Sequence, residues 1–208
     1  MSIQLDKIVV ATRNSGKFIE IKKLLQETDI KLLSLSDFPE IPEVVEDGAT
    51  FEDNALKKAK FVASSLGVTA LADDSGLCVD ALSGRPGVMS ARYGGPNCND
   101  RERFVKLLEE MKEIGAGHRA ASFVCVMALV APDGEQRLFR GVCEGRILDE
   151  PRGTRGFGYD PVFYFEEFGM SFGEMDLDTK NRVSHRARAL KMFADFVEES
   201  VKSKESQG

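Results

Sequence analysis

The stretch KIVVATRNSGKFIEIKKLLQETDIKLLSL, residues 7–35, decides the fold. Its opening, KIVVAT (7–12), is a short apolar run rich in β-branched side chains, which predicts a buried strand. RNSG reads as a turn, and in the following KFIEIKKLLQE the side chains of Phe18, Ile21, Leu24 and Leu25 fall on one helical face. IKLLSL (30–35) reads as the next strand. Strand, loop, helix and strand in that order predict a parallel pair, because parallel neighbours need a crossover between them.

Working outward, FPEIPEVVEDG (38–48) is an acidic, proline-bearing loop. Thr50 caps a second helix, with Asp53 at the position that reaches back. Ala55, Leu56, Ala59, Val62, Ala63 and Leu66 give that helix its apolar spacing, and Gly67 stops it. TALADDSG (69–76) reads as a short strand running into a carboxylate-bearing turn, and LSGRPGVMSARYGGPN (82–97) as a long ordered loop. Asn99 and Glu102 form a capping box for a helix carrying Phe104, Leu107, Leu108 and Met111. Ala121 to Val130 and Gln136 to Ile147 predict a hairpin around the turn APDG. A last helix starts near Ser184 and buries Ala187, Leu190, Phe193 and Val197, with KSKESQG as a frayed tail. Alternating strands and helices followed by a hairpin make an α/β fold on a mixed sheet.

With 208 residues, 42% of them apolar and 30% charged, the chain is read as one domain over 1–208 whose lobes are not separable in sequence. No apolar run approaches the roughly 20 residues of a membrane span, and the N-terminus lacks the layout of a signal peptide. A cytoplasmic protein without a membrane partner is expected. The balance of 28 basic against 34 acidic residues gives −6, which argues against a nucleic acid polymer as partner. Cys78, Cys98, Cys125 and Cys143 are scattered and read as small hydrophobes rather than zinc ligands.

Four stretches carry candidate chemistry. TRNSGK (12–17) sits between a strand and a helix start, where free amides and the positive helix end suit a phosphate. Thr12, Asn14 and Ser15 add side-chain donors and Lys17 a cation. Ala11 and Phe18 stand where a Walker loop needs Gly and Ser or Thr, so this is not that motif and a P-loop kinase is disfavoured. A tight turn with a solvated lysine is the plain alternative. ADDSG (72–76) puts two acids on successive residues, which cannot both face a sheet core. One bonds the turn's own backbone, and the other is free to bind Mg2+ or to accept a proton from water. In GFGYDPVF (156–163), Gly156 and Gly158 let the backbone approach a planar ligand beside Phe157, although a turn entering a strand fits equally well. LDTKNRVSHRARAL (177–190) gathers Lys180, Arg182, His185, Arg186 and Arg188 at a helix start, or simply forms a solvated face. Glu43, Glu46 and Asp47 in the acidic loop could supply a second metal carboxylate.

Taken in order, ATRNSGKFIEI, EDGATFEDNALKKA, LADDSGLCVDALSGRPGVMSARYGG, GFGYDPVF and SHRARAL resemble the noncanonical purine nucleoside triphosphate pyrophosphatases, the Ham1 or inosine triphosphatase family, over nearly the whole chain. The resemblance implies hydrolysis of ITP, dITP and XTP to the monophosphate and pyrophosphate, with Mg2+ as cofactor. It implies an elongated mixed sheet flanked by helices, two lobes with a central cleft, and a homodimer. By position, Thr12, Arg13, Asn14, Ser15, Gly16 and Lys17 would bind the triphosphate, with Lys58 close by. Glu46 and Asp74 would hold the metal, Asp74 also being the base; Glu46 is chosen over its neighbour Asp47. Ser75, Phe157, Gly158, Tyr159, Asp160, Lys180, His185 and Arg186 would bind the nucleotide and its base. Arg13 departs from the small or uncharged residue frequent in the family, and its role is left open. Two competing readings are a Maf-like pyrophosphatase for modified pyrimidine nucleotides and a nucleotide-binding sensor without catalysis.

Overall fold

Ile8, Val9 and Val10 are branched, apolar and fully buried, and they form strand β1 (Lys7–Val10). In the computed structural model, which describes residues 3–26 and 28–205, helix α1 (Ser15–Leu24) follows directly. It begins two residues earlier than its apolar spacing predicts, because the Asn14 side chain accepts from the Lys17 amide and caps it. Ile21 and Leu25 are buried as expected, while the Leu24 side chain lies outside the described residues. Strand β2 (Lys31–Ser34) pairs parallel with β1, Lys7 opposite Lys31 through Val10 opposite Ser34. The predicted crossover is therefore present.

Helix α2 (Phe51–Leu66) starts at Thr50, whose hydroxyl accepts from the Asp53 amide, and ends at Gly67 in the left-handed conformation with φ 63°. Strand β3 (Ala70–Val79) then runs for ten residues, parallel to β1. This corrects one expectation: ADDSG lies inside the strand, not in a turn after it. Helix α3 (Asp100–Glu110) shows both halves of the Asn99–Glu102 capping box. The hairpin of β4 (Ala120–Val130) and β5 (Gln136–Ile147) turns at 131–135, where the Ala131 amide donates to the Glu135 carbonyl. Strands β6 (Phe163–Phe165) and β7 (Met170–Ser171) add antiparallel neighbours, so the seven-stranded mixed sheet has the order β2-β1-β3-β4-β5-β6-β7. A short helix α4 (Leu177–Val183), not foreseen as a separate element, precedes α5 (His185–Glu205). The tail residues 206–208 lie outside the described ones.

The chain forms two compact units. One takes the chain up to Asp74, the stretch Cys125–Gly141 and the chain from Arg186 onward; the other takes Ser75–Val124 and Val142–His185. In the first, Ile8, Val10, Leu71, Cys125, Met127 and Leu129 alternate along their strands to pack on Ile21 and Leu25 of α1 and on Leu190, Phe193 and Val197 of α5. Helix α2 buries Ala55, Ala59, Val62 and Ala63. In the second, Leu77, Phe123, Phe163 and Phe172 form an aromatic-rich core with Phe104, Leu107 and Met111 from α3 and its end.

Candidate active site

The first amides of a helix have no partner inside it. At α1, Asn14 takes the amide of Lys17 through Oδ1 at 3.1 Å, and the Thr12 hydroxyl accepts the Asn14 amide at 3.2 Å. Ser15 and Gly16 are exposed at this end, so their amides and the positive helix terminus form a ready anion cradle. A Cβ at Gly16 would stand 3.2 Å from Asn14 Oδ1, so the glycine keeps the cap unobstructed.

Asp73 and Asp74 follow from the strand's period of two. Asp73 shares the face of Leu71, where α1 and α5 pack; there its Oδ2 lies 2.9 Å from Lys17 Nζ and 3.7 Å from Arg186 Nη2. Asp74 faces α2: Asn54 Nδ2 donates to its Oδ2 at 3.0 Å, and Lys58 Nζ is 3.9 Å from its Oδ1. Both residues are buried, at 4% and 7% exposure, and the strand continues through them because each carboxylate finds partners on its own face. Their electrostatics diverge. Burial works to raise Asp73, but Lys17, Arg186 and Lys58 outweigh it and hold its carboxyl well below the usual range. For Asp74 burial prevails over Lys58 and Asn54, and its pKa rises. Adjacent acids pushed apart in this way stand in separate electrostatic environments: Asp73 is a fixed anion among cations, and Asp74 is a carboxyl that holds a proton more readily.

Lys58 joins the group together. Its ammonium contacts Glu46 Oε1 and donates to the Asp73 carbonyl at 2.6 Å. Burial works to lower its pKa, but Asp73, Glu46 and Asp74 raise it, so Lys58 stays charged. Of the two candidate acids in the loop, Glu46 shares Lys58 with Asp74, whereas exposed Asp47 pairs with Lys57 at 2.5 Å. Glu43 is exposed. Asn54, fully buried, accepts the Gly48 amide at 2.8 Å and so ties this loop to Asp74. A Cβ on Gly48 would press on Asn54 Oδ1 and Asp53 Cβ, both at 2.7 Å, which explains the glycine. Arg13 donates from Nη2 to the Ile41 carbonyl at 2.5 Å, fastening the same loop to the cradle.

The second unit builds a different cluster. Gly156 and Gly158 adopt positive φ of 77° and 60° on either side of Phe157, a residue that is 48% exposed. Asp160 Oδ2 accepts the Phe157 amide at 2.8 Å and the buried ammonium of Lys180 at 2.6 Å, and Lys180 Nζ lies 4.6 Å from the Phe157 ring centroid. Tyr159 is buried and donates its hydroxyl to the Ser90 carbonyl at 3.0 Å. His185 is buried and stacks on Phe123 with centroids 4.8 Å apart. Ser75 is half-buried, next after Asp74 in β3.

The structure thus brings Lys17, Lys58, Glu46, Asp74 and Arg186 into one network around the end of α1, and Phe157, Asp160 and Lys180 into another. Arg186, expected at the base, pairs with Asp73. Reading the sequence alone missed Asp73 as the hub and Asn54 as the brace. The only signal for Asn54 was a polar residue on the buried face of an apolar-spaced helix.

A sequence model of the Ham1 family matches residues 8–196. A Geobacter sulfurreducens protein named dITP/XTP pyrophosphatase is 53% identical over 193 residues, covering 93% of this chain and 97% of that protein. One of the same name from Shouchella clausii is 45% identical over 194 residues, covering 93% and 98%. Among solved structures, a HAM1 protein from Coxiella burnetii matches with a TM-score of 0.88 at 42% identity, over 93% of this chain and 98% of that one. The Ham1 protein of Staphylococcus aureus matches at 0.86 and 38%, over 93% and 99%. Matched over nearly its whole length in sequence and in fold, the chain belongs to the Ham1 family.

Proposed function

We propose that this chain hydrolyses noncanonical purine nucleoside triphosphates (ITP, dITP and XTP) to the monophosphate and pyrophosphate. The observation that carries the reading is the divided pair Asp73 and Asp74 on β3, one held ionised by cations and one raised toward neutrality, within the unit that presents the amides of α1. The substrate class follows the names of the relatives.

In the reaction, Asp74 accepts a proton from the water that attacks the α-phosphorus, and pyrophosphate leaves in line. Lys17 and Lys58 offset the charge growing on the leaving group, and Asp73 keeps Lys17 and Arg186 aimed. The donor set fits Mg2+. Glu46 and Asp74 present two carboxylates beside the same Lys58 ammonium. Mg2+ takes one or two carboxylates and completes its shell with water and substrate phosphates. Bound by Glu46 and Asp74, it would supply positive charge against the phosphate oxygens.

For the base, Phe157 offers an exposed ring for stacking, and Lys180 beside it offers donors only. Hypoxanthine and xanthine carry an accepting carbonyl at position 6, where adenine carries a donor. A donor-lined site satisfies the first and rejects the second, by up to about 10⁴-fold. The reading includes a cytoplasmic homodimer, which sedimentation at working concentration tests; no described helix is long and apolar enough to cross a membrane.

The deciding experiment is pyrophosphate release from ITP, XTP, dITP, GTP and ATP with Mg2+, then with excess EDTA. Metal-dependent release from ITP and XTP far above ATP is expected. Preference for pyrimidine nucleotides, or binding without release, would overturn the reading.

A further inference from the structure

The loop that presents Phe157 is held by groups from several segments, and one of them comes from far away in the chain. Two glycines with positive φ give this segment more freedom to lose than any other residue pair would. Within the loop, Asp160 holds the Phe157 amide. The next amide, Gly158, donates to Asp100 Oδ2 at 2.8 Å, across 58 residues. The other oxygen, Asp100 Oδ1, accepts from Arg103 Nη1 at 2.7 Å, one turn along α3, so the carboxylate is fixed at both oxygens. Asp100 also stands first in α3, directly after the Asn99 cap, and its grip on Gly158 runs through its own side chain. The helix therefore serves as a post that fixes the Gly158 end of the loop.

We propose that Asp100 is a positioning residue for nucleobase selection. By gripping the Gly158 amide it sets the orientation of the Phe157 ring and hence the discrimination between 6-oxo and 6-amino purines. This rests on the reading of Phe157 as the surface on which the base stacks. Asp100 touches no reacting atom, and its effect falls on substrate affinity and selectivity, leaving the chemical step alone. A charge-assisted hydrogen bond is lost on its removal, and the freed glycine loop samples conformations that do not stack the base.

The test compares Asp100→Ala with Asn99→Ala, which weakens the cap of the same helix without touching Gly158. Steady-state kinetics on dITP, XTP and ATP are read beside the thermal midpoint of each variant. For Asp100→Ala the KM for dITP should rise about tenfold or more with kcat within about twofold, and the dITP-to-ATP ratio of kcat/KM should fall. Asn99→Ala should lower the midpoint and leave that ratio intact. Should Asp100→Ala not fold, Asp100→Asn, which keeps one acceptor but loses the charge, carries the comparison with a smaller rise in KM. Unchanged KM and selectivity in the Asp100 variant, or an equal loss of selectivity in Asn99→Ala, would overturn the proposal. A wild-type protein that does not turn over dITP would instead refute the function on which it rests.

Discussion

Changing Asp73 or Asp74 to Asn removes one charge from neighbouring residues of β3, yet the two substitutions should move stability in opposite directions. Asp73 faces Lys17 at 2.9 Å and Arg186 at 3.7 Å, and its side chain is almost wholly buried. Removing one partner from a buried ion pair costs about 3–5 kcal/mol, because the remaining charge is stranded. Lys17 keeps part of its side chain in solvent and can swing outward, whereas Arg186 is buried and cannot. The expected loss for Asp73→Asn is therefore about 2–4 kcal/mol. In a chain of this length that lowers the melting midpoint by roughly 5–15 °C. For Asp74 the charged form is the costly one, since burial outweighs Lys58 and Asn54. Asn in its place removes that cost at neutral pH, so the midpoint should hold or rise while turnover is abolished. The pH dependence separates them further. Asp73 has a depressed folded pKa, so its contribution is present above the ordinary carboxylate range and fades as pH falls through the folded value; the gap between wild type and Asp73→Asn should narrow below about pH 4. Asp74 has a raised folded pKa, so its contribution is full below the unfolded value and is lost as pH rises through the folded one. Asp74→Asn should accordingly gain on wild type as pH rises from the carboxylate range. Thermal unfolding followed by circular dichroism in EDTA, across acidic to neutral pH, reads all of this. An Asp73→Asn protein as stable as wild type, or equal losses in both variants, would refute the division of roles.

Two other substitutions test the supports of the site. Asn54→Ala unties Asp74 from the Gly48 amide and leaves the buried carboxylate and the half-buried amide without their partner; about 1–3 kcal/mol of stability should be lost, and kcat should fall far more than KM rises, by single-turnover and steady-state kinetics. Gly156→Ala places a methyl group against the Asp160 carboxylate at a left-handed backbone position, so it should disrupt the Lys180–Asp160 pair, raise the KM for dITP and lower the melting midpoint; normal affinity would contradict the proposed role of this loop in holding the base.

What the sequence made legible was local. The β-branched run before Asn14, the apolar spacing of α2 with Gly67 behind it, and the Asn99–Glu102 box are short-range patterns, and the structure contains each. Residues 12–17 were legible as a helix start for the same reason, since a strand feeding a helix exposes amides wherever it occurs. The reading failed where partners arrive from a distance. ADDSG looked like a turn because two acids have no local reason to enter a sheet; Lys17, Arg186, Asn54 and Lys58 supply that reason from α1, α5 and α2. Arg13 had no readable role until the Ile41 carbonyl, 28 residues away, came within reach. Arg186, which the family resemblance assigns to the nucleotide and its base, lies 3.7 Å from Asp73, a neighbour that no local pattern announces.

The central claim is attack by water, deprotonated toward Asp74, at the α-phosphorus. Turnover of dITP in water enriched in oxygen-18, with the label located by mass spectrometry of the products, tests it most directly. The account requires one labelled oxygen per turnover in the nucleoside monophosphate and none in the pyrophosphate. Label in the pyrophosphate, or release of single orthophosphate, would place the attack elsewhere and contradict it.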